Sequence, residues 1–156
     1  MTSVVIMAGG RGLRLHPLTE KEPKPMLRVG ARPMLETIIN RYAEQGVEDF
    51  TLAVGYKADL ISNYFGDGAG KGIRVSYLHE DEPLGTAGAL KHYPIPKEPI
   101  IVANGDVMCH IDIADVLEWH EESGCMSTMV VTTWLQQLPY GIVRPVSYTH
   151  LTLPTI

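Results

Sequence analysis

Apolar and polar positions change period several times along the chain, and the changes divide it into short elements. Residues 3–7 form a continuous apolar run of the kind expected for a strand buried on both faces. Residues 33–45 then carry apolar side chains at helical spacing, opened by Pro33 and closed by Gly46, which predicts an amphipathic helix. The order repeats with a strand over 50–54, a helix over 58–64, a glycine-rich turn over 65–72 and an alternating strand over 73–78. A short helix over 86–91, a buried strand over 100–103, a helix over 113–123 and a further strand over 126–133 complete the reading. Strands alternating with helices predict an α/β fold built on a doubly wound, mostly parallel sheet. Ligands of such sheets bind beyond the carboxyl ends of the strands, where both residues 9–12 and Asn104-Gly105-Asp106 fall.

Composition narrows the classes without choosing among them. The 156 residues suffice for one domain with a real core, and 45% hydrophobic with 20% charged residues is ordinary for a globular protein. A net charge of −5 without a basic stripe argues against a nucleic-acid partner. Cys109 and Cys125 are too few for a disulfide framework and suit a reducing cytosol. No apolar stretch approaches membrane-spanning length and the apolar start is too short for a signal peptide, so a cytoplasmic location is expected. The six histidines show no ligand spacing, which argues against a zinc site, and the methionines sit among apolar residues as core filling.

The stretch that carries chemistry follows the first strand. Ala8-Gly9-Gly10-Arg11-Gly12 crowds three glycines into a turn, and Arg14 and Lys24 follow within reach. Without a Cβ, glycine lets backbone N–H groups approach a phosphate closely, and arginine and lysine supply the charge a triphosphate requires. A Walker loop would need Lys before Ser or Thr, whereas Lys24 stands between two prolines. A dinucleotide-binding glycine motif would open a helix where Pro17 sits. Taken alone, the glycines also fit a plain turn beside a solvated basic loop.

The whole segment resembles the opening of the sugar-nucleotidyltransferases, Ala-Gly-Gly-x-Gly-Thr-Arg-Leu-x-Pro-Leu-Thr followed by Pro-Lys-Pro. Leu13 replaces the usual Thr, while Arg14, Leu15, Pro17, Leu18, Thr19, Pro23, Lys24 and Pro25 match. Gly55-Tyr56-Lys57-Ala58, Tyr64-Phe65-Gly66-Asp67-Gly68 and Leu35-Glu36-Thr37-Ile38-Ile39 are similar to a branch of guanylyltransferases often joined to CBS domains, of which no segment occurs here. The resemblance implies the Rossmann-like fold of the nucleotide-diphospho-sugar transferases.

It also assigns expectations to individual residues. Ala8, Gly9, Gly10, Arg11 and Gly12 would bind the nucleotide, with Arg14 and Lys24 as catalytic cations. Asp106 would be the Mg²⁺ ligand; without the resemblance, Gly105-Asp106 after a strand reads equally as an Asx-turn. Glu80, Pro83, Gly85 and Thr86 would line the nucleobase, and Tyr140 with Gly141 the sugar. A carboxylate at Glu80 accepts only, and guanine presents two adjacent N–H donors, which favours GTP over UTP or dTTP. Glu80, Asp81 and Glu82 together also read as a solvated acidic loop, and Glu82 is the alternative base reader.

The implied reaction joins an NTP and a sugar 1-phosphate into a nucleotide sugar and pyrophosphate, here a GDP-sugar, with Mg²⁺ as cofactor. A uridylyl- or thymidylyltransferase of the same fold, or a non-catalytic nucleotide-binding module, is the alternative, and a homo-oligomer is compatible with either. The resemblance runs to about Val143, after which the family's sugar-phosphate Glu-Lys pair and second metal-binding aspartate do not follow. The expected organisation is therefore a nucleotide-binding part over 1–145, truncated at its C-terminus, and a non-native tail over 146–156, with a genuine C-terminal strand over 146–153 as the alternative because that stretch alternates.

Overall fold

A computed structural model describes residues 2–82, 84–133 and 135. The chain divides into two units, Met1–Cys125 and Met126–Ile156, and the site lies wholly in the first. In chain order the first unit runs β1 (Ser3–Met7), β2 (Arg28–Val29), β3 (Arg32–Pro33), α1 (Met34–Ala43), β4 (Asp49–Val54), α2 (Ala58–Phe65), β5 (Arg74–His79), β6 (Ile100–Asn104) and α3 (Ile113–Ser123).

Four strands form one parallel sheet in the order β5-β4-β1-β6. From β1 the chain moves outward through β4 to β5, then returns to lay β6 on the other side of β1. The strand order therefore reverses between β1 and β6, and their carboxyl ends, Met7 and Asn104, are register partners. That reversal opens the crevice in which doubly wound sheets hold their ligands. The expected fold class is the observed one.

The continuous apolar runs become the two central strands because both of their faces are covered. Val4, Val5, Ile6, Leu52, Ala53 and Val54 have no exposed surface. Val4, Ile6, Phe50 and Leu52 share a core with Leu35, Ile38 and Ile39 of α1 and Ile61 and Phe65 of α2. Each such aliphatic side chain contributes about 1.5–3 kcal/mol by leaving water, which fixes the sheet from which the site loops emerge.

Four expectations need correction. The strand expected over 100–103 forms, but as the edge strand β6 with Val102 45% exposed, because only β1 pairs with it among the described residues. Residues 126–133 carry β-forming side chains yet adopt no strand, since an extended run is stable only with a ladder partner, and none pairs with it among the described residues. The helix expected over 86–91 is a single 3₁₀ segment, Gly88–His92. Pro33 stands at the N-cap of α1, outside the helix, because it also closes the β2–β3 hairpin opposite Arg28. Tyr140, Gly141 and the tail over 146–156 lie outside the described residues.

Candidate active site

A cavity of about 540 Å³ lies beyond the carboxyl ends of β1 and β6. Residues 7–15 form one wall, Lys24 and Pro25 another, with Glu80, Gly85 and Thr86 on one side and Asn104 and Asp106 on the other. Ala8, Gly9, Gly10, Arg11, Gly12, Arg14, Lys24, Glu80, Gly85, Thr86 and Asp106 thus meet at one site, although nearly one hundred positions separate the first from the last. Pro83 lies outside the described residues.

The first wall is the chain leaving β1. Ala8 still belongs to the sheet, because its N–H donates to the Ala53 carbonyl at 2.8 Å, so Ala8 can offer a ligand only its carbonyl and methyl. The N–H groups of Gly9, Gly10, Arg11 and Gly12 donate to no protein acceptor among the described residues. Four consecutive free donors bordering a cavity make a cradle for an anion. Gly12 turns the chain with φ +61°, a left-handed conformation that disfavours a Cβ, and a Cβ there would stand 3.1 Å from Lys24 Cβ. A Cβ on Gly9 would stand 2.4 Å from Glu80 Oε2, so the absent side chain is what lets the Glu80 carboxylate reach the loop.

Lys24 enters from the far end of the same segment. Thr19, buried, holds the loop closed by donating from Oγ1 to the Gly12 carbonyl at 3.2 Å. Pro23 and Pro25 flank Lys24 in a 3₁₀ turn, with the Met26 N–H donating to the Pro23 carbonyl. Lys24 Nζ donates to Asp106 Oδ2 at 2.6 Å. Asp106 is held opposite because the neighbouring Gly105 N–H donates to the Met7 carbonyl at 2.8 Å, tying the end of β6 to the end of β1. The ammonium and carboxylate are each about one third exposed on the cavity, so both remain open to a ligand that exchanges partners with them. Arg11 and Arg14 add two exposed cations.

No group of three His, Cys, Asp or Glu gathers among the described residues, so no cage of protein ligands is built there. A lone carboxylate beside a phosphate cradle nevertheless fits magnesium, which takes one or two protein carboxylates and completes its shell with phosphate oxygens and water. Asp106 fits that donor set. No helix among the described residues is long and apolar enough to cross a membrane.

A parallel α/β sheet with four free loop amides, a lysine and an aspartate at its reversal point defines an α/β protein whose ligand site suits an anion. The chain belongs to the nucleotidyl transferase family, whose model matches residues 3–151. It is 38% identical over 143 residues to the mannose-1-phosphate guanylyltransferase catalytic subunit beta of Dictyostelium discoideum, covering 89% of this chain and 40% of that protein. The structure of HddC from Yersinia pseudotuberculosis complexed with GMP-PN superposes with a TM-score of 0.67 at 35% identity, over 77% of this chain and 54% of that one. A putative glucose-1-phosphate thymidylyltransferase from Bacillus anthracis superposes with a TM-score of 0.69 at 25% identity, over 78% and 51%. The chain therefore spans less than half the length of the curated relative and about half of the solved ones.

Proposed function

We propose that this chain is the nucleotide-handling part of a sugar-1-phosphate guanylyltransferase, making a GDP-sugar and pyrophosphate from GTP and a sugar 1-phosphate. The observation that carries the reading is the Lys24–Asp106 pair at 2.6 Å on the same cavity as four free loop amides. A binding-only module needs the amides, but it has no use for a cation and an anion held together beside them.

The chemistry asks for charge and alignment rather than a strong base. A sugar-phosphate oxygen forms the new bond to the α-phosphorus while the bond to the bridging oxygen breaks and its electrons leave with pyrophosphate. The attacking phosphate is already ionised near neutrality, since its second pKa lies near about 6. The amides of Gly9, Gly10, Arg11 and Gly12 receive phosphate oxygens, and Arg14 offsets the charge collecting on pyrophosphate. Lys24 lies between the α-phosphate and the incoming sugar phosphate, drawing together two anions that otherwise repel. Asp106 would hold magnesium, which would supply positive charge to the phosphate oxygens. Glu80 accepts from the N1–H and 2-amino groups of guanine; Gly85 and Thr86 lie along the base. The relatives' names make mannose 1-phosphate the first sugar to try.

The test is a thermal-shift series on the 156-residue chain with Mg²⁺ and each of GTP, UTP, dTTP, CTP and ATP. A ligand at one hundred times its dissociation constant stabilises a folded site by about 2.7 kcal/mol, a shift of several degrees. GTP alone should give it. A larger shift with UTP or dTTP overturns the guanylyl assignment, and no shift with any nucleotide overturns the site.

A further inference from the structure

The segment from Gly9 to Pro25 carries most of the site, yet its only regular structure is three short 3₁₀ turns. Besides the Lys24–Asp106 pair, its outside support comes from two adjacent residues just after β4. The Tyr56 N–H donates to the Gly9 carbonyl at 3.1 Å and the Tyr56 hydroxyl donates to the Thr19 carbonyl at 3.1 Å. Lys57 Nζ donates to the Lys21 carbonyl at 3.0 Å and also to the Glu20 carbonyl. The start of the loop and its stretch Thr19–Lys21 are therefore fastened to one dipeptide.

Lys57 makes these contacts from an unfavourable backbone conformation. Its φ is +53°, and among the described residues it is the one non-glycine in the left-handed region. A residue with a Cβ resists that region, and glycine or asparagine enters it more easily. Neither could reach the carbonyls of Glu20 and Lys21 with a cation. Backbone strain retained at a contact of this kind belongs with sites that must be held in advance of a ligand.

We propose that Lys57 is a positioning residue that fixes the phosphate-handling loop, and with it Gly12 and Lys24, before nucleotide binds. This deepens the guanylyltransferase reading and rests on it for the identity of the ligand. It does not rest on it for the mechanics of the loop. Lys57→Gly removes the ammonium and relieves the backbone at the same stroke, so stability and function should part company.

The experiment compares the 156-residue chain with Lys57→Gly and Lys57→Arg by thermal unfolding, amide hydrogen exchange and titration with GTP and Mg²⁺. In Lys57→Gly the unfolding midpoint should hold or rise. The loop amides of Leu15, Glu20, Met26 and Leu27, which donate within the loop's own turns, should exchange about tenfold faster, and GTP affinity should fall about tenfold. Lys57→Arg should restore both slow exchange and affinity. Unchanged loop exchange in Lys57→Gly overturns the proposal, as does a midpoint that falls together with affinity while Lys57→Arg fares no better. If the unsubstituted chain binds no GTP, the guanylyltransferase reading fails, and loop exchange alone decides the role of Lys57.

Discussion

Two loops form most of the cavity, and they are built in opposite ways. The loop after β1 is fastened throughout: Thr19 to Gly12, Tyr56 to Gly9 and Thr19, Lys57 to Glu20 and Lys21, Lys24 to Asp106. In the loop after β5, Glu80 is held by its N–H donating to the Val54 carbonyl at 2.8 Å. From Asp81 to Thr86 no hydrogen bond anchors the backbone among the described residues, and Asp81, Glu82, Gly85 and Thr86 are exposed. Under the guanylyltransferase proposal, the difference follows from what each loop would face. A triphosphate presents the same dense charge whatever its base, and fixed donors stabilise it without reorganising. A base edge is read by few contacts, which a loop held at Glu80 alone would suffice to supply.

The largest expected effect breaks the first loop's chemistry while sparing its frame. Lys24→Ala should weaken binding of GTP with Mg²⁺ by roughly thirtyfold, on the scale of a hydrogen bond between charged groups, and leave the unfolding midpoint nearly in place. Its side chain is one third exposed and supports no core contact that unfolding would report. Calorimetric titration beside a thermal melt checks both halves. An affinity within twofold of the unsubstituted chain would mean that the fastened loop does not present its cation to the phosphates, and the contrast between the loops would lose its functional meaning.

Much of this arrangement is legible in the sequence, for identifiable reasons. All seven main elements of the first unit follow from apolar period and breakers, because β1, α1 and β4 are buried where periodicity is strongest. Gly9-Gly10-Arg11-Gly12 and Lys24 are legible because phosphate chemistry restricts which residue types can serve, whereas Asp106 and Glu80 are expected only through the family resemblance. The β2–β3 hairpin escapes because two-residue strands are too short to carry a period. The Tyr56 and Lys57 clasp escapes as well, because its acceptors are backbone carbonyls, which every residue owns, and nothing in a sequence marks which carbonyl a lysine will reach. The strand over 126–133 is the reverse error: propensity is local, but a ladder needs a second strand.

A smaller effect should fall on the second loop. Glu80→Gln keeps the shape of the side chain beside Gly9 but gives it an N–H donor as well as an acceptor. Guanine's paired donors then lose one acceptor, while uracil and thymine gain a match. GTP affinity should drop about fivefold and UTP affinity should rise, narrowing the preference without altering the affinity for pyrophosphate, which touches only the fastened loop. Competition titrations with GTP, UTP and pyrophosphate separate the two loops. A parallel loss for all three would place Glu80 in the phosphate frame through its contact with Gly9, and would erase the division of labour.

The smallest effect acts on the frame beneath both loops and should leave the second loop untouched. Glu36 on α1 is nearly buried; it accepts from Lys71 Nζ at 2.6 Å and from the Tyr64 hydroxyl at 2.7 Å, which ties α1 to α2 and the turn beyond. Burial works to raise the Glu36 pKa, but the hydrogen bonds from Lys71 and Tyr64 and the charges of Lys71 and Arg32 outweigh it and hold the carboxyl below its ordinary value of 4.5. A carboxyl with a depressed folded pKa binds fewer protons folded than unfolded, so its stabilisation is complete above 4.5 and disappears as the pH falls through the lower, folded value. Lys71 is 31% exposed, which screens the pair and limits its worth to below about 1 kcal/mol. Glu36→Gln keeps an acceptor for Tyr64 and loses the charge facing Lys71. Its melting midpoint should lie a degree or two under that of the unsubstituted chain at pH 7, by roughly the shift such an energy produces, and the gap should begin to close below pH 4.5 and vanish below the lower, folded value. Asp49, held low by its hydrogen bond to Arg74, titrates in both proteins and cancels from the difference. Curves that stay parallel from pH 7 to the acid limb would show that Glu36 holds α1 to α2 as a neutral acceptor does, and that the frame under the loops owes nothing to its charge.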